Sequence, residues 1–220
     1  MKHNVLVISK GIIHPSFLSR KTLKFLLRDL RANYSLHFTN RLEALKKLNN
    51  ANQVKGSSKT NYVHYKAAIL YYHAKSASEE ALNALFDYVE NGGSVLALHS
   101  SMASFKNNKE YQEMLGGKFA SHGKIENVKV YPLDNTHPIL NGVREFTVKD
   151  ELYIHEYQQN NTILLSTNNK GQEEPIMWIK TYGKGKVCYF APGHCPNVWL
   201  NAEVKKLLNN ALIWLCDEKV

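Results

Sequence analysis

Gly92-Gly93-Ser94-Val95-Leu96-Ala97-Leu98-His99-Ser100-Ser101 is the stretch on which the fold turns. The two glycines end a helix, since glycine accepts the left-handed conformation at a helix C-terminus. Ser94–Leu98 is a short, continuously apolar strand of the kind buried on both faces. A polar turn then opens on His99. In an open α/β sheet, reactive groups lie at the carboxyl ends of strands, so His99 is the first candidate residue.

Working back from that strand, the pattern repeats. Leu82, Leu85, Phe86 and Val89 form the apolar stripe of the preceding helix. Ser78 caps it, and Glu79 and Glu80 suit the first turn of its dipole. Ala67–Tyr72 reads as a strand ending at His73. Leu42, Leu45 and Leu48 mark a short helix, and Ser35–Thr39 a strand. Phe17, Leu18, Leu23, Phe25, Leu26, Leu27 and Leu30 recur at helical spacing with Lys and Arg between them. Val5–Ser9 is another buried strand, followed by a Gly/Pro loop holding His14. Residues 49–61 are polar and Gly/Ser-rich and read as a surface loop. The β-α-β-α-β-α-β alternation predicts a mostly parallel sheet covered by helices on both faces.

Working forward, the pattern is less regular. Tyr111–Leu115 is helical and stops at Gly116-Gly117. Val128–Tyr131 and Thr162–Ser166 are strands. Ile176–Ile179 and Val187–Ala191 flank a Gly-rich turn and predict an antiparallel hairpin near the C-terminus. Ala202–Cys216 is a closing helix. Ser121-His122 and Asp150-Glu151-Leu152-Tyr153 lie between these elements, in a region read as irregular. Asp150-Glu151 fits a solvated pair or a helix cap.

The totals narrow the class. At 220 residues the chain suits one domain, 1–220. Three cysteines, odd in number and without CxxC spacing, argue against a disulfide framework. No secretory leader and no 18-residue apolar run is present, so the expectation is a cytoplasmic protein without a membrane partner. The net charge of +9 is local: residues 1–60 hold 12 Lys/Arg against Asp29 and Glu43. Such a face invites a nucleic-acid reading. No aromatic-interleaved or helix-turn-helix pattern supports it, so a solvated face is preferred.

The candidate chemistry gathers at strand ends. His14, His73, His99 and His194 each follow a strand, and a parallel sheet brings such loops to one edge. Several imidazoles with carboxylates make a metal or acid–base site, and imidazole suits zinc and similar divalent ions. The chain has ten histidines, so some fall in loops without a role. His137, before Pro138, reads as turn chemistry. HExxH, P-loop and GxGxxG motifs are absent. Cys188 and Cys216 read as core, and Cys195 has no assignable activating partner.

The pieces in order are GGSVLALHSS (92–101), MLGGKFASH (114–122), HPILNGV (137–143), FTVKDELY (146–153) and EPIMWIKTYGKGKVCYFAPGH (174–194). Together they resemble the ThuA-like family, named for trehalose utilisation, within the class I glutamine amidotransferase-like superfamily. The resemblance implies a flavodoxin-like three-layer sandwich and a role in carbohydrate metabolism. In that superfamily the turn after the elbow strand carries a nucleophilic cysteine. Here Leu98-His99-Ser100-Ser101 has none, so glutamine hydrolysis by that route is not expected. The family's motif positions fall on His99, His122, Glu151 and His194. Many relatives are more aromatic where this chain has Phe105–Glu110, which leaves the substrate open.

Two readings follow. In the first, the chain is an enzyme acting on a sugar or keto-sugar derivative. His99, Glu151 and His194 are catalytic; His99, His122 and His194 hold a divalent metal such as zinc; His14, Ser100, Ser101 and Tyr153 contact a small sugar-like ligand. In the second, the scaffold is a non-catalytic module binding a sugar or a protein. A homodimer is compatible with either.

Overall fold

The computed structural model describes residues 2–12, 14–29, 33–52, 63–133 and 136–217. The elements run β1 (His3–Lys10), α1 (Phe17–Asp29), β2 (Tyr34–Thr39), a 3-10 segment (Leu42–Asn52), β3 (Tyr65–Tyr72), α2 (Glu79–Glu90), β4 (Ser94–Leu98) and α3 (Lys109–Leu115). They continue with β5 (Gly117–Pro132), β6 (Phe146–Tyr157), β7 (Thr162–Asn169), β8 (Gln172–Tyr182), β9 (Gly185–Phe190) and α4 (Ala202–Cys216).

The continuous apolar runs become central strands. Val5–Ile8, Ala67–Tyr72 and all of β4 are buried, which requires cover on both faces of the sheet. The helices supply it in two linked groups. Lys205 of α4 is ion-paired to Asp29 of α1. On α2, Asp87 accepts from Asn49 of the 3-10 segment at 3.2 Å, and Ser78, its cap, donates to Glu43 at 2.9 Å. Helix α2 starts where its signals place it: the Ser78 side chain accepts from the Ala81 amide. It ends at Asn91 before Gly92, whose φ of +105° suits glycine.

The nine strands form one sheet in the order β2-β1-β3-β4-β9-β8-β7-β5-β6. From β2 to β9 every pair is parallel; from β9 to β6 every pair is antiparallel. The expected mostly parallel sheet with one hairpin is therefore corrected to a mixed sheet with two halves. The β8–β9 hairpin is present, pairing Tyr182 with Gly185 across Gly183-Lys184. The antiparallel half extends beyond it because the middle of the chain is regular. Strands β5 and β6 are 16 and 12 residues long and pair from Gly117↔Tyr157 to Val130↔Phe146. Asp150 and Glu151 lie within β6, neither as a solvated pair nor at a helix cap. Residues 49–52, read as loop, belong to the 3-10 segment. The rest of that predicted loop, 53–61, and Leu30 lie outside the described residues.

Candidate functional site: four converging ligand atoms at the sheet edge

The parallel half delivers three loops to the carboxyl edge. His14 follows β1, His99 follows β4 and His194 follows β9. His99 adopts φ +44°, which L residues other than Asn, Asp and His rarely accept. This left-handed step turns the chain sharply off β4 and folds the imidazole inward, where it is fully buried. Its Nδ1 lies 2.8 Å from the Ala191 carbonyl. A carbonyl only accepts, so Nδ1 carries the proton and Nε2 presents a lone pair. That Nε2 is buried with no hydrogen-bond partner. Burial drives the His99 pKa down to about 3, so the ring is neutral at pH 7. Tyr153 packs on it, with ring centroids 4.2 Å apart.

The antiparallel half supplies the carboxylates. Glu151 Oε2 is also buried without a hydrogen-bond partner; it lies 3.4 Å from His194 Nδ1 and 3.7 Å from His122 Nδ1. His194 Nδ1 in turn is 3.0 Å from His14 Nδ1. Two such ring nitrogens either share one proton or aim two lone pairs at one cation. Burial and the neighbouring His194 lower the His14 pKa, which favours its neutral, ligating form. One ligand atom from each of His14, His99, Glu151 and His194 falls within 4.8 Å of all the others. Tetrahedral zinc with bonds of about 2.0–2.2 Å needs ligand–ligand edges of roughly 3.4 Å. The His194–Glu151 and His194–His14 separations are already near that value. Three imidazoles and one carboxylate are a suitable donor set for zinc or a similar ion.

The remaining predicted residues divide. His122 does not join the four ligand atoms. It is partly exposed on β5, and its Nδ1 donates to the Gly123 carbonyl at 2.8 Å, so that nitrogen offers no lone pair to the cluster. His14, expected on the substrate side, stands among the ligand atoms instead. Ser101 Oγ donates to the Leu98 carbonyl at 3.0 Å, and Ser100 Oγ is buried without a partner. Cys195 is beside the site, but burial and then Asp150 push its thiol up to about 11, away from the thiolate a nucleophile needs. His73 is exposed at the end of β3, its ring 6.3 Å from that of His14.

The sequence reading missed what holds the site together. Asp150 is fully buried, and its carboxylate accepts from the backbone N–H groups of Gly193, His194 (3.2 Å) and Cys195 (2.8 Å). Burial raises its pKa against the pull of these bonds. From the other side, Ser19 Oγ donates to the Gly193 carbonyl at 3.0 Å and receives the Trp199 indole N–H at 2.8 Å. Gly193 itself leaves no room: a Cβ there would lie 2.8 Å from His99 Cβ and from the Trp199 ring. The loop bearing His194 is thus clamped from two elements distant in sequence. One signal was available for Asp150. Phe146, Val148, Asp150 and Leu152 alternate as buried positions, the period of a half-buried strand with a carboxylate on its inner face. Nothing in the sequence marks Ser19.

Comparison with known proteins bears on this geometry. A family model described as ThuA, trehalose utilisation, matches residues 4–215. A ThuA-like protein from Parabacteroides merdae is 20% identical, with a TM-score of 0.80 over 100% of this chain and 92% of that one. A ThuA-like protein from Bacteroides uniformis is 17% identical, with a TM-score of 0.80 over 99% of this chain and 92% of that one. A cytoplasmic protein from Salmonella typhimurium LT2 is 16% identical, with a TM-score of 0.66 over 98% and 99% of the two chains. At these identities the likeness is one of fold. No curated protein sequence matches the chain. No helix among the described residues is long and apolar enough to cross a membrane.

Proposed function

The chain belongs to the ThuA, or trehalose utilisation, family, and on that premise we propose that it is a divalent-metal enzyme acting on a sugar or keto-sugar derivative. His14, His99, Glu151 and His194 are the ligands. The observation that carries this reading is the buried lone pair of His99 Nε2, which has no hydrogen-bond partner, as Glu151 Oε2 also has none, in a residue whose ligand atom lies within 4.8 Å of those of His14, Glu151 and His194. Leaving two such acceptors buried without a donor costs about 1–3 kcal/mol each, and a cation relieves both at once. A bound metal would polarise a substrate carbonyl or hydroxyl.

The surrounding residues have separable tasks. Nδ1–H of His99, held by the Ala191 carbonyl, fixes the tautomer that exposes Nε2. Asp150 sets the position of His194 through the loop backbone. His122, exposed beside Glu151, is placed to exchange a proton between substrate and solvent. Tyr153 covers one face of His99 and closes that side to water. The strand order β2-β1-β3-β4-β9 supports a flavodoxin-like reading of the parallel half, in which ligands lie at the carboxyl edge where these loops meet. A cytoplasmic location agrees with the name of the Salmonella neighbour.

The test is metal analysis of the purified protein, with thermal shifts on adding zinc or manganese. We expect close to one equivalent of metal. It should be lost in both His99→Ala and His194→Ala, together with turnover of keto-sugars. A wild-type protein that takes up no metal and shows no thermal shift would sink the metal reading. Metal and sugar binding without turnover of any sugar would favour the binding module.

A further inference from the structure

A cavity opens between the loop after β3 and the segment that follows the His99 turn. It has a volume of about 690 Å³ and is lined by His73, Lys75, Ser76, Phe105, Lys106 and Asn108 among others; none of its lining residues is acidic. Among the described residues, neither Lys75 nor Lys106 has a carboxylate partner. His73 lines the same cavity, and partial burial, then Lys106 and Lys75, lower its pKa.

The walls are stitched together. The Phe105 amide donates to the Ala74 carbonyl at 3.0 Å, and the Ala74 amide to Ser104 Oγ at 3.1 Å. Ser104 Oγ donates in turn to the Tyr72 carbonyl at 3.2 Å. The loop after β3 and the segment after the His99 turn therefore hold their two lysines at a fixed backbone spacing.

Two chains of side-chain contacts lead from the cavity lining toward the cluster. His73 stands 6.3 Å from His14, ring to ring. Lys106 Nζ lies 5.4 Å from the Phe119 ring centroid, and that ring packs against Tyr153 at 4.6 Å and His122 at 6.0 Å.

We propose that Lys75 and Lys106 bind the oxyanion of an anionic sugar derivative, a sugar acid or a sugar phosphate, while its reacting carbons lie over the His14–His99–Glu151–His194 cluster. Two ammonium groups without a carboxylate partner, in a cavity with no acidic lining residue, favour an anion and give a neutral sugar nothing of equal strength. This inference rests on the proposed function for the placement of the reacting carbons, but the lysine subsite is separately measurable.

The experiment is calorimetric titration of the full chain with glucose, glucuronate, glucose 6-phosphate and inorganic phosphate. Each is run on wild type and on the Lys75→Ala/Lys106→Ala double variant, with metal content measured on the same samples. Both lysines are exposed, so the variant is expected to fold. At least one anionic sugar should bind wild type about tenfold more tightly than glucose. The variant should lose that preference while keeping its metal content and its affinity for glucose. A preference for glucuronate identifies a carboxylate ligand; a preference for glucose 6-phosphate identifies a phosphate. Equal binding of neutral and anionic sugars, or a preference that survives in the double variant, overturns the inference. If the lysine-dependent preference holds in protein that takes up no metal, the metal reading fails and the subsite stands.

Discussion

The two halves of the sheet do different work at the same edge. The parallel half, β2 to β9, ends in loops, and those loops carry His14, His99 and His194. The antiparallel half, β5 to β8, reaches the same place with a strand, and β6 presents Asp150, Glu151 and Tyr153 from within its ladder. Loops bring donor atoms with freedom of aim, whereas a strand holds side chains at set positions. The asymmetry shows in Asp150, a residue of the antiparallel half that pins a loop of the parallel half by three backbone N–H groups. The loops bring the histidine nitrogens to the edge, and the neighbouring strand fixes the loop that carries His194.

That division can be broken most severely at Asp150. Asp150→Ala removes the acceptor of three backbone N–H groups, that of Gly193 buried and those of His194 and Cys195 partly buried, and is expected to destabilise the fold by about 3 kcal/mol, read as a lower urea midpoint, and to abolish metal uptake. A variant of wild-type stability and metal content would mean that the loop holds itself.

The next effect is on pH. His99 ionises at about 3 in the folded protein, against an ordinary value near 6.5. Between those values the unfolded chain binds more protons at this site, so stability falls as pH drops through that window. In metal-free protein the loss by pH 5 is about 2 kcal/mol from His99 alone. His99→Asn, which tolerates the positive φ, should flatten the slope, leaving the part due to His14, His73 and His155, which burial also depresses. An unchanged slope in that variant would place the effect elsewhere.

The smallest effect is a control in the parallel half, away from the site. Ser78→Ala removes the α2 cap and should cost about 1 kcal/mol. Metal content and sugar binding should not change. If metal uptake also fell, the two halves would be coupled through the helices as well as through Asp150.

Legibility followed the same division. Strands β1, β3 and β4, with the α2 cap and the β8–β9 turn, are plain in the sequence because each signal is local: an apolar run, a Ser before two acids, a Gly-rich turn. His99 and His194 stood out because they close such runs. Strand β6 was overlooked because charged residues interrupt its alternation and its partner β5 is mostly exposed. Without β6, the sequence offers Asp150-Glu151 only as carboxylates near a strand-end edge or as a solvated or capping pair, and the family motif singles out Glu151 alone. That His14 and not His122 lies among the four converging atoms is not legible in the sequence, since it depends on distances between side chains far apart along the chain.

By itself the sequence determined an α/β chain, its parallel half, the family and the residues at the strand ends. Periodicity, caps and turn chemistry act over a few residues, and that is where a linear pattern holds information. Only the tertiary structure decided that the sheet is half antiparallel, that Asp150 clamps residues 193–195, and that His14 joins His99, Glu151 and His194. Those facts depend on contacts between positions as far apart as 14 and 194, and on burial that strips water from particular atoms. The His99 turn that opened the reading is one end of that long-range arrangement.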